Sequence, residues 1–541
     1  MNSDDITVIE SGSVADLNRI LQEFNARHTS TFTFSGFDAI GKKRLGEILA
    51  RKLSAAEFAD AHSSSLEFLR LVARDKTDLE NLINDDLLHI LAVRARLTKE
   101  LQGTLPAEHE IGVTTEAQKV LCNLVFHSAS GQRYFSREEI VDVLMSRISS
   151  NKEAARWPLE NQLLDMKLLF IISILCADTR VHLRNDLRAV QDLCVTVTML
   201  ASSSASGAAA EGSLVNSVLC EILKVLFNLV CNMSPTNLTL GEELDFVTLG
   251  NTCRELLIST TSPDVKKHVI NLLTVVKKFG YNQLVIPLDD GSPGAVPYEN
   301  FDLQAVSVIL KYLDEKLSGV TVGNGSGRSV DDSLAPVLCA LTEAAKTVPI
   351  IRKYLKTQIL PPLRDVHNRP EVGSSLRNKI CRLLTVPLVS VRDSAGDFLY
   401  ILCKNNVNRL IKYTGYGNAA GWLADRGMMG LPRAHEEQME DTEDSETEEY
   451  EQHKHTIDPI TGAVKVEGPN PMEGMSEEQK EYYAHELALA LDKLIKKGDI
   501  KPAAIGPDGR PQMIDDVLKY REEMLKQQNP KPKPQPDDED G

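Results

Sequence analysis

The chain has 541 residues, with 60 Lys and Arg against 77 Asp and Glu, hence a formal net charge of −17. That length exceeds one compact domain and leaves ample material for a buried core, while an acidic excess of this size excludes nucleic acid as the default partner, because phosphate binding needs a basic footprint. Aromatic residues make up only 5% of the chain, so the core must be built from Leu, Val, Ile and Ala, which favours helix packed on helix.

Residues 1–13 open with the acidic run Met1 to Glu10, which has no apolar segment. They read as a disordered N-terminus and not as a secretory signal. From 14 to about 430 the pattern is helix after helix. Val14 to Phe24 carries Leu17, Ile20, Leu21 and Phe24 at helical spacing, and Leu66 to Val72, Val120 to Phe126, Val218 to Val230 and Val265 to Val276 behave alike. Ala201 to Gly212, Asp289 to Pro297 and Gly319 to Asp332 are rich in Gly, Ser or Pro and are expected as loops. The longest nearly apolar run, Leu168 to Ala177, has ten residues, about half of a membrane span, so it predicts a buried helix.

Within this region the sequence repeats itself. Lys119-Val-Leu-Cys-Asn-Leu-Val is nearly reproduced by Lys224-Val-Leu-Phe-Asn-Leu-Val, with weaker relatives starting at Lys167 and Lys267. The four lysines are 48, 57 and 43 residues apart, and the long interval contains the Ser/Ala/Gly stretch. A helical unit recurring every 40 to 50 residues marks an armadillo or HEAT solenoid, so the fold class is all-α. Lys119 with Asn123, Lys224 with Asn228, and Lys267 with Asn271 stand at i and i+4, on one side of each helix. Stacked, these Asn form a ladder, and two roles are open to it. The amides can hydrogen-bond the backbone of a peptide in a groove, or they can bridge neighbouring helices of the solenoid.

Composition changes after residue 430. His435 to Gln452 holds ten carboxylates, no Lys or Arg, and the hydroxyls Thr442, Ser445 and Thr447. Residues 431–475 read as an acidic, phosphorylatable and extended linker. Ser445 has Glu446 at +1 and Glu448 at +3, the pattern an acid-directed, casein-kinase-type kinase prefers. Upstream, Lys346 to Arg382 holds nine Lys or Arg against two acids, a basic face onto which a phosphorylated acidic segment can fold. Ser476-Glu-Glu-Gln479 resembles a capping box and opens a helix over 476–498. Tyr483, Leu487, Leu491, Leu494 and Ile495 are its apolar stripe. Residues 499–541 hold a second short amphipathic segment, Met513 to Leu525, and a disordered tail.

Catalytic and metal motifs are missing from this sequence. It has no phosphate-binding Gly-rich loop ending in Lys-Ser/Thr and no dinucleotide fingerprint. Gly323 to Gly327 is a glycine-rich linker, and His485-Glu486 lacks a second zinc ligand at Leu489. The nine cysteines are scattered without a Cys-x-x-Cys pair, as expected of buried thiols in a reducing compartment. Asn2 and the C-terminal residues offer no lipidation box. Covalent catalysis, metal and cofactor are not expected, and a cytoplasmic location is.

Several longer strings add a family resemblance. Ile411-Lys-Tyr-Thr-Gly-Tyr-Gly-Asn-Ala-Ala-Gly421, Leu360-Pro-Pro-Leu-Arg-Asp-Val366, Arg369-Pro-Glu-Val-Gly373, Asn470-Pro-Met-Glu-Gly-Met-Ser-Glu-Glu-Gln-Lys-Glu-Tyr482, Phe24-Asn-Ala-Arg-His28 and the run ending at His127 resemble the synembryn family (resistance to inhibitors of cholinesterase), most closely its A-type branch. The resemblance implies an armadillo/HEAT-like solenoid that acts on GDP-bound or nascent heterotrimeric G-protein α subunits as a folding chaperone and exchange factor. By that likeness the solenoid captures the Gα C-terminal helix through Arg70, Arg74 and Asn123, and the internal repeat extends the set to Asn228 and, along the same ladder, to Lys119 and Asn271. The helix over 476–498 then holds the nucleotide-binding domain open. Ser445 matches a family phosphosite, with Thr442 or Thr447 as substitutes for a second one, and Arg352, Lys353 and Lys356 lie where the phosphate docks. Glu440 departs from the pattern, where relatives carry another phosphorylatable Ser. A monomer is implied, reaching the membrane or the cell cortex only through lipidated Gα. The rival reading is an armadillo adaptor that binds peptides without exchange.

Overall fold

The computed structural model describes residues 3–34, 38–150, 157–204, 209–234, 236–289, 294–319, 327–429, 446–465, 472, 474–497, 502–505 and 511–514. Among these the chain forms 25 α-helices and seven strands of two or three residues. It divides into two units, residues 1–312 and 313–541.

In the first unit six helices make one row: α1 (Val14–Arg27), α2 (His62–Val72), α3 (Glu108–His127), α4 (Leu159–Leu175), α5 (Ala209–Val230) and α6 (Pro263–Leu273). Each packs on the next. A second row lies against them, with Ala39–Ser54 on Asp85–Arg94, and Glu138–Ser150 on Ala189–Ser204 on Leu240–Ser259. This two-row stacking of successive repeats is an armadillo/HEAT-like arrangement. The helix starts are written locally. Ser13 and Asp16 form a capping box on α1, Thr239 and Glu242 another on Leu240–Ser259, and Ser262 caps α6 ahead of Pro263 at its first position. The facing residues then close the core: Leu17, Leu21, Leu66, Phe68, Leu121, Leu168, Leu226 and Val269 are all fully buried. At about 1.5–3 kcal/mol per large apolar side chain, this burial and not helix propensity holds the rows together.

Up to residue 332, three expectations need correction. Residues 3–11 are helical, with Ile6 and Ile9 buried and Glu10 paired with Arg44 and, at 3.3 Å, with Arg51. Two isoleucines three residues apart suffice to dock one short helix on Ala39–Ser54, which a search for long apolar runs overlooks. The Ser/Ala/Gly stretch is helical up to Ser204 and again from Ala209, and the helix Gly327–Thr347 starts inside the third expected loop. Cooperative extension of a strong helix overrides the weak propensity of a few Gly and Ser. Gly212–Val230 is also long and apolar enough to cross a membrane by length and composition; 61% of it is buried in the fold. It packs between α4 and α6 and against Ala189–Ser204, which accounts for its apolarity.

The second unit centres on α7 (Gly327–Thr347), α8 (Pro349–Ile359), α9 (Leu376–Leu383), α10 (Val389–Leu402), α11 (Val407–Thr414) and α12 (Tyr416–Asp425), with α7, α8, α9, α11 and α12 all packed on α10. Trp422 is fully buried over Gly396, where a Cβ would lie 2.1 Å from the indole ring. Downstream, residues 446–465 are not the extended linker expected of them. They form a short helix, Glu448–His453, and an antiparallel hairpin pairing Ile457 with Val464 and Asp458 with Ala463. Gly462, with φ 71°, makes its turn. Last comes α13 (Glu477–Lys497). Met513, expected to begin an amphipathic segment, sits instead in a strand opposite Ala503, and 515–541 lie outside the described residues.

Candidate partner-binding site

The first-row helices carry acid and base three residues apart, and stacking joins these pairs end to end. Arg70 on α2 lies 3.0 Å from Glu67 on its own helix and 3.0 Å from Glu116 on α3. Lys119 lies 3.2 Å from Glu116 and 3.0 Å from Glu160 on α4. Burial works against the Lys119 ammonium, but Glu160 and Glu116 outweigh it and hold its pKa above the ordinary lysine value. On α5, Lys224 pairs with Glu221 at 2.6 Å and lies 4.5 Å from the centre of the Phe170 ring. Arg74, just beyond α2, donates to the Thr29 carbonyl at 2.8 Å and stands over Phe32. Burial, then the neighbouring Arg70 charge, lowers its pKa. Arg70 and Lys119 therefore share one continuous ion-paired track across α2, α3 and α4, with Asn123 bonded beside it to the Arg70 carbonyl.

The asparagines have partners inside the stack. Asn123 donates from its side-chain nitrogen to the Arg70 carbonyl at 3.0 Å. The amides of Ala73, Arg74 and Asp75 go to Leu69, Leu71 and Val72, so the chain's own turn passes over Arg70, and the next repeat supplies the missing donor. Asn228 repeats the device one step along, reaching Ser173 Oγ at 3.0 Å and the Phe170 carbonyl at 3.5 Å. Asn25, which the repeat pattern does not single out, joins α1 to α2 through the Ser64 carbonyl at 3.0 Å. Asn271 makes no such side-chain bond among the described residues. Replacing Asn123 by Ala should therefore cost about 1–3 kcal/mol by stranding a part-buried carbonyl, read as a lower urea midpoint with unchanged slope.

A second polar cluster escaped the sequence reading altogether. Asp165 on α4 is fully buried and accepts two hydrogen bonds from the Arg147 guanidinium. Gln118 on α3 donates to Asp165 at 2.5 Å, and Asn161 donates to the Gln118 oxygen at 2.7 Å. Arg147 also caps the Ala95 carbonyl at 2.8 Å and stands 4.7 Å from the centre of the Trp157 ring. Burial pushes the Asp165 carboxyl up, and Arg147 opposes it. The one hint in the sequence is Asp165, an acid set among Leu163, Leu164, Met166 and Leu168.

In the second unit, Arg352, Lys353 and Lys356 all lie on α8, and each is already engaged in polar contacts. Ser445 and Thr442 lie outside the described residues. Thr447 is described: its hydroxyl donates to the Leu363 carbonyl and accepts the Tyr450 N–H at 3.2 Å, capping Glu448–His453. It lines a cavity of about 560 Å³ with Leu363, Arg364, Ser375, Arg377 and Glu446. Glu446 is held by Lys412 at 3.0 Å and Lys454 at 3.5 Å. Burial raises its pKa, but the hydrogen bonds from Glu451 and Lys412 prevail and hold it below the ordinary carboxylate value. This pairing stabilises the folded state at neutral pH, and the contribution is lost as acidification carries the pH through the depressed folded-state pKa.

Helix α13 differs from every helix of the two rows. Ser476 and Gln479 cap it reciprocally, as the sequence predicts. Its stripe stays uncovered: Tyr483 is 55% exposed, Leu487 63%, Leu491 37% and Leu494 38%, with Ile495 partly exposed. A row of large apolar side chains left open to water marks a surface awaiting a partner.

Among the described residues no group of His, Cys, Asp or Glu could hold a metal ion. All nine cysteines are free thiols, and burial pushes Cys122, Cys194 and Cys381 up to about 12, far from reactivity at neutral pH.

Residues 65–510 match the sequence profile of the family described as guanine nucleotide exchange factor synembryn. The chain is 35% identical to the chicken (Gallus gallus) protein named Chaperone Ric-8A over 531 residues, covering 95% of this chain and 96% of that one. It is 34% identical to its zebrafish (Danio rerio) namesake, covering 93% of each. With Chaperone Ric-8 of Drosophila pseudoobscura pseudoobscura it shares 32% identity, covering 98% of this chain and 99% of that one.

Proposed function

Because this chain belongs to the synembryn family of guanine nucleotide exchange factors, we propose that it captures heterotrimeric G-protein α subunits, GDP-bound or nascent, and acts on them as exchange factor and chaperone. Arg70, Arg74 and Lys119 of the first row take the Gα C-terminal helix, while Asn123 and Asn228 hold together the repeats that carry them. The apolar stripe of α13, Tyr483 to Ile495, takes the nucleotide-binding domain. The observation that carries this reading is that stripe, uncovered on a well-capped helix where the helices of the two first-unit rows bury theirs.

The mechanism needs no covalent step. If the chain binds nucleotide-free Gα more tightly than Gα·GDP by some factor, linkage requires that it lower GDP affinity by the same factor. The same preference stabilises an empty, half-folded Gα, which is chaperoning. The partner reaches the membrane or cortex through its own lipids while this chain stays a cytoplasmic monomer. An acid-directed kinase modifies Ser445, or Thr442, and the phosphate docks on Arg352, Lys353 and Lys356. Thr447 is the poorer acceptor, since its hydroxyl already caps a helix.

Following labelled GDP on Gα after mixing tests the reading directly. Accelerated release is expected. Binding without release would favour a peptide-binding adaptor, and no binding would overturn the G-protein assignment.

A further inference from the structure

We infer that residues 446–465 are a built anchor which holds the partner-binding helix α13 on a short tether, with Gly415 and Gly417 as its positioning residues; this rests on the exchange reading above. The segment is stitched to the second unit along its whole length. At its start, the Thr447 hydroxyl binds the Leu363 carbonyl and Lys412 holds Glu446 at 3.0 Å. In the middle, the His453 ring packs edge-on against His367, with centroids 5.0 Å apart. At its end, the Tyr416 N–H donates to the Pro459 carbonyl and the Gly417 N–H to the Ile460 carbonyl, both at 2.8 Å. The Val464 N–H donates to the Val366 carbonyl, also at 2.8 Å.

Those last contacts explain the two glycines. A helix N-terminus leaves amides free, and at α12 the hairpin carbonyls take them. The hairpin can approach only because no side chain intervenes. A Cβ on Gly417 would lie 3.1 Å from the Ile460 oxygen, and one on Gly415, where φ is 73°, 3.1 Å from Thr461. The Thr414-Gly-Tyr-Gly-Asn418 string is therefore the socket for a segment about 45 residues downstream.

The consequence is one of reach. Eleven residues, 466 to 476, separate the docked hairpin from α13, so the helix begins within about 40 Å of Lys465. Undocked, the tether would run from 430 to 476, or 47 residues. With effective concentration falling roughly as the −3/2 power of tether length, that lengthening lowers it for the helix at a captured partner about ninefold.

The test replaces 446–465 by twenty residues of Gly and Ser in the full chain and follows GDP release from Gα, beside capture of a Gα C-terminal peptide. The maximal release rate should fall about ninefold, while the chain concentration for half-maximal effect and the peptide affinity stay unchanged. Gly417→Val, at an exposed position with its side chain aimed at Ile460, should lower the rate in the same way. Unchanged rates in both variants would overturn the anchor while leaving the exchange reading intact. Loss of peptide capture together with rate would also overturn it, since the segment would then be supporting the fold. No acceleration by the unaltered chain would overturn the exchange reading and this inference with it.

Discussion

Leu487→Glu combined with Leu491→Glu should abolish most of the accelerated GDP release while leaving the protein folded. Both side chains are large and open to water, at 63% and 37% exposure, so the fold loses little when they become charged. Changes at such positions usually stay within about 0.5 kcal/mol. Buried against a partner, each leucine contributes about 1.5–3 kcal/mol, so losing both should slow release more than tenfold. Thermal unfolding should coincide with that of the parent, and capture of a Gα C-terminal peptide should persist. A double variant releasing GDP at the parental rate would remove α13 from the mechanism.

The largest effect on stability is expected in the first unit. Asp165→Ala leaves the Arg147 guanidinium buried at 6% exposure without its bidentate partner. Removing one member of a buried ion pair costs about 3–5 kcal/mol, and Gln118 and Asn161 lose the acceptor that organises them. Denaturant unfolding should show a loss of that order. Replacing both members, Arg147→Met with Asp165→Leu, should recover much of it, because a well-packed apolar pair carries no desolvation cost. If the double replacement were as unstable as the single one, the cluster would be doing more than compensating its own burial. Peptide capture per folded molecule should be unchanged in both, since neither side chain reaches the surface.

These two sites differ in how far the sequence announced them. The α13 stripe was legible because it is a local pattern: cap, period and terminating residues lie within 23 positions, and helix geometry does the rest. The first-row repeat was legible for the same reason, since Lys and Asn four apart occupy one face whatever surrounds them. What the Asn do was not. Asn123 and Arg70 are 53 residues apart, and the choice between holding a neighbouring helix and holding a peptide depends on which carbonyl the stack brings within reach. Arg147 and Asp165 meet across two helices, and no periodicity predicts that. The strands Ile457–Asp458 and Ala463–Val464 are two residues each, too short to display an alternating period at all.

The sequence by itself determined the all-α repeat architecture, the family and the free amphipathic helix, because these follow from spacing along a single chain segment and from strings long enough to be distinctive. Only the tertiary structure decided that Asn123 and Asn228 tie repeat to repeat, that the N-terminal residues dock on Ala39–Ser54, and that the segment ending the acidic run docks on Gly415 and Gly417. Each of those depends on a carbonyl, a cavity or a bare backbone supplied by a residue distant in sequence. Such groups become partners only when packing removes the water that would otherwise satisfy them.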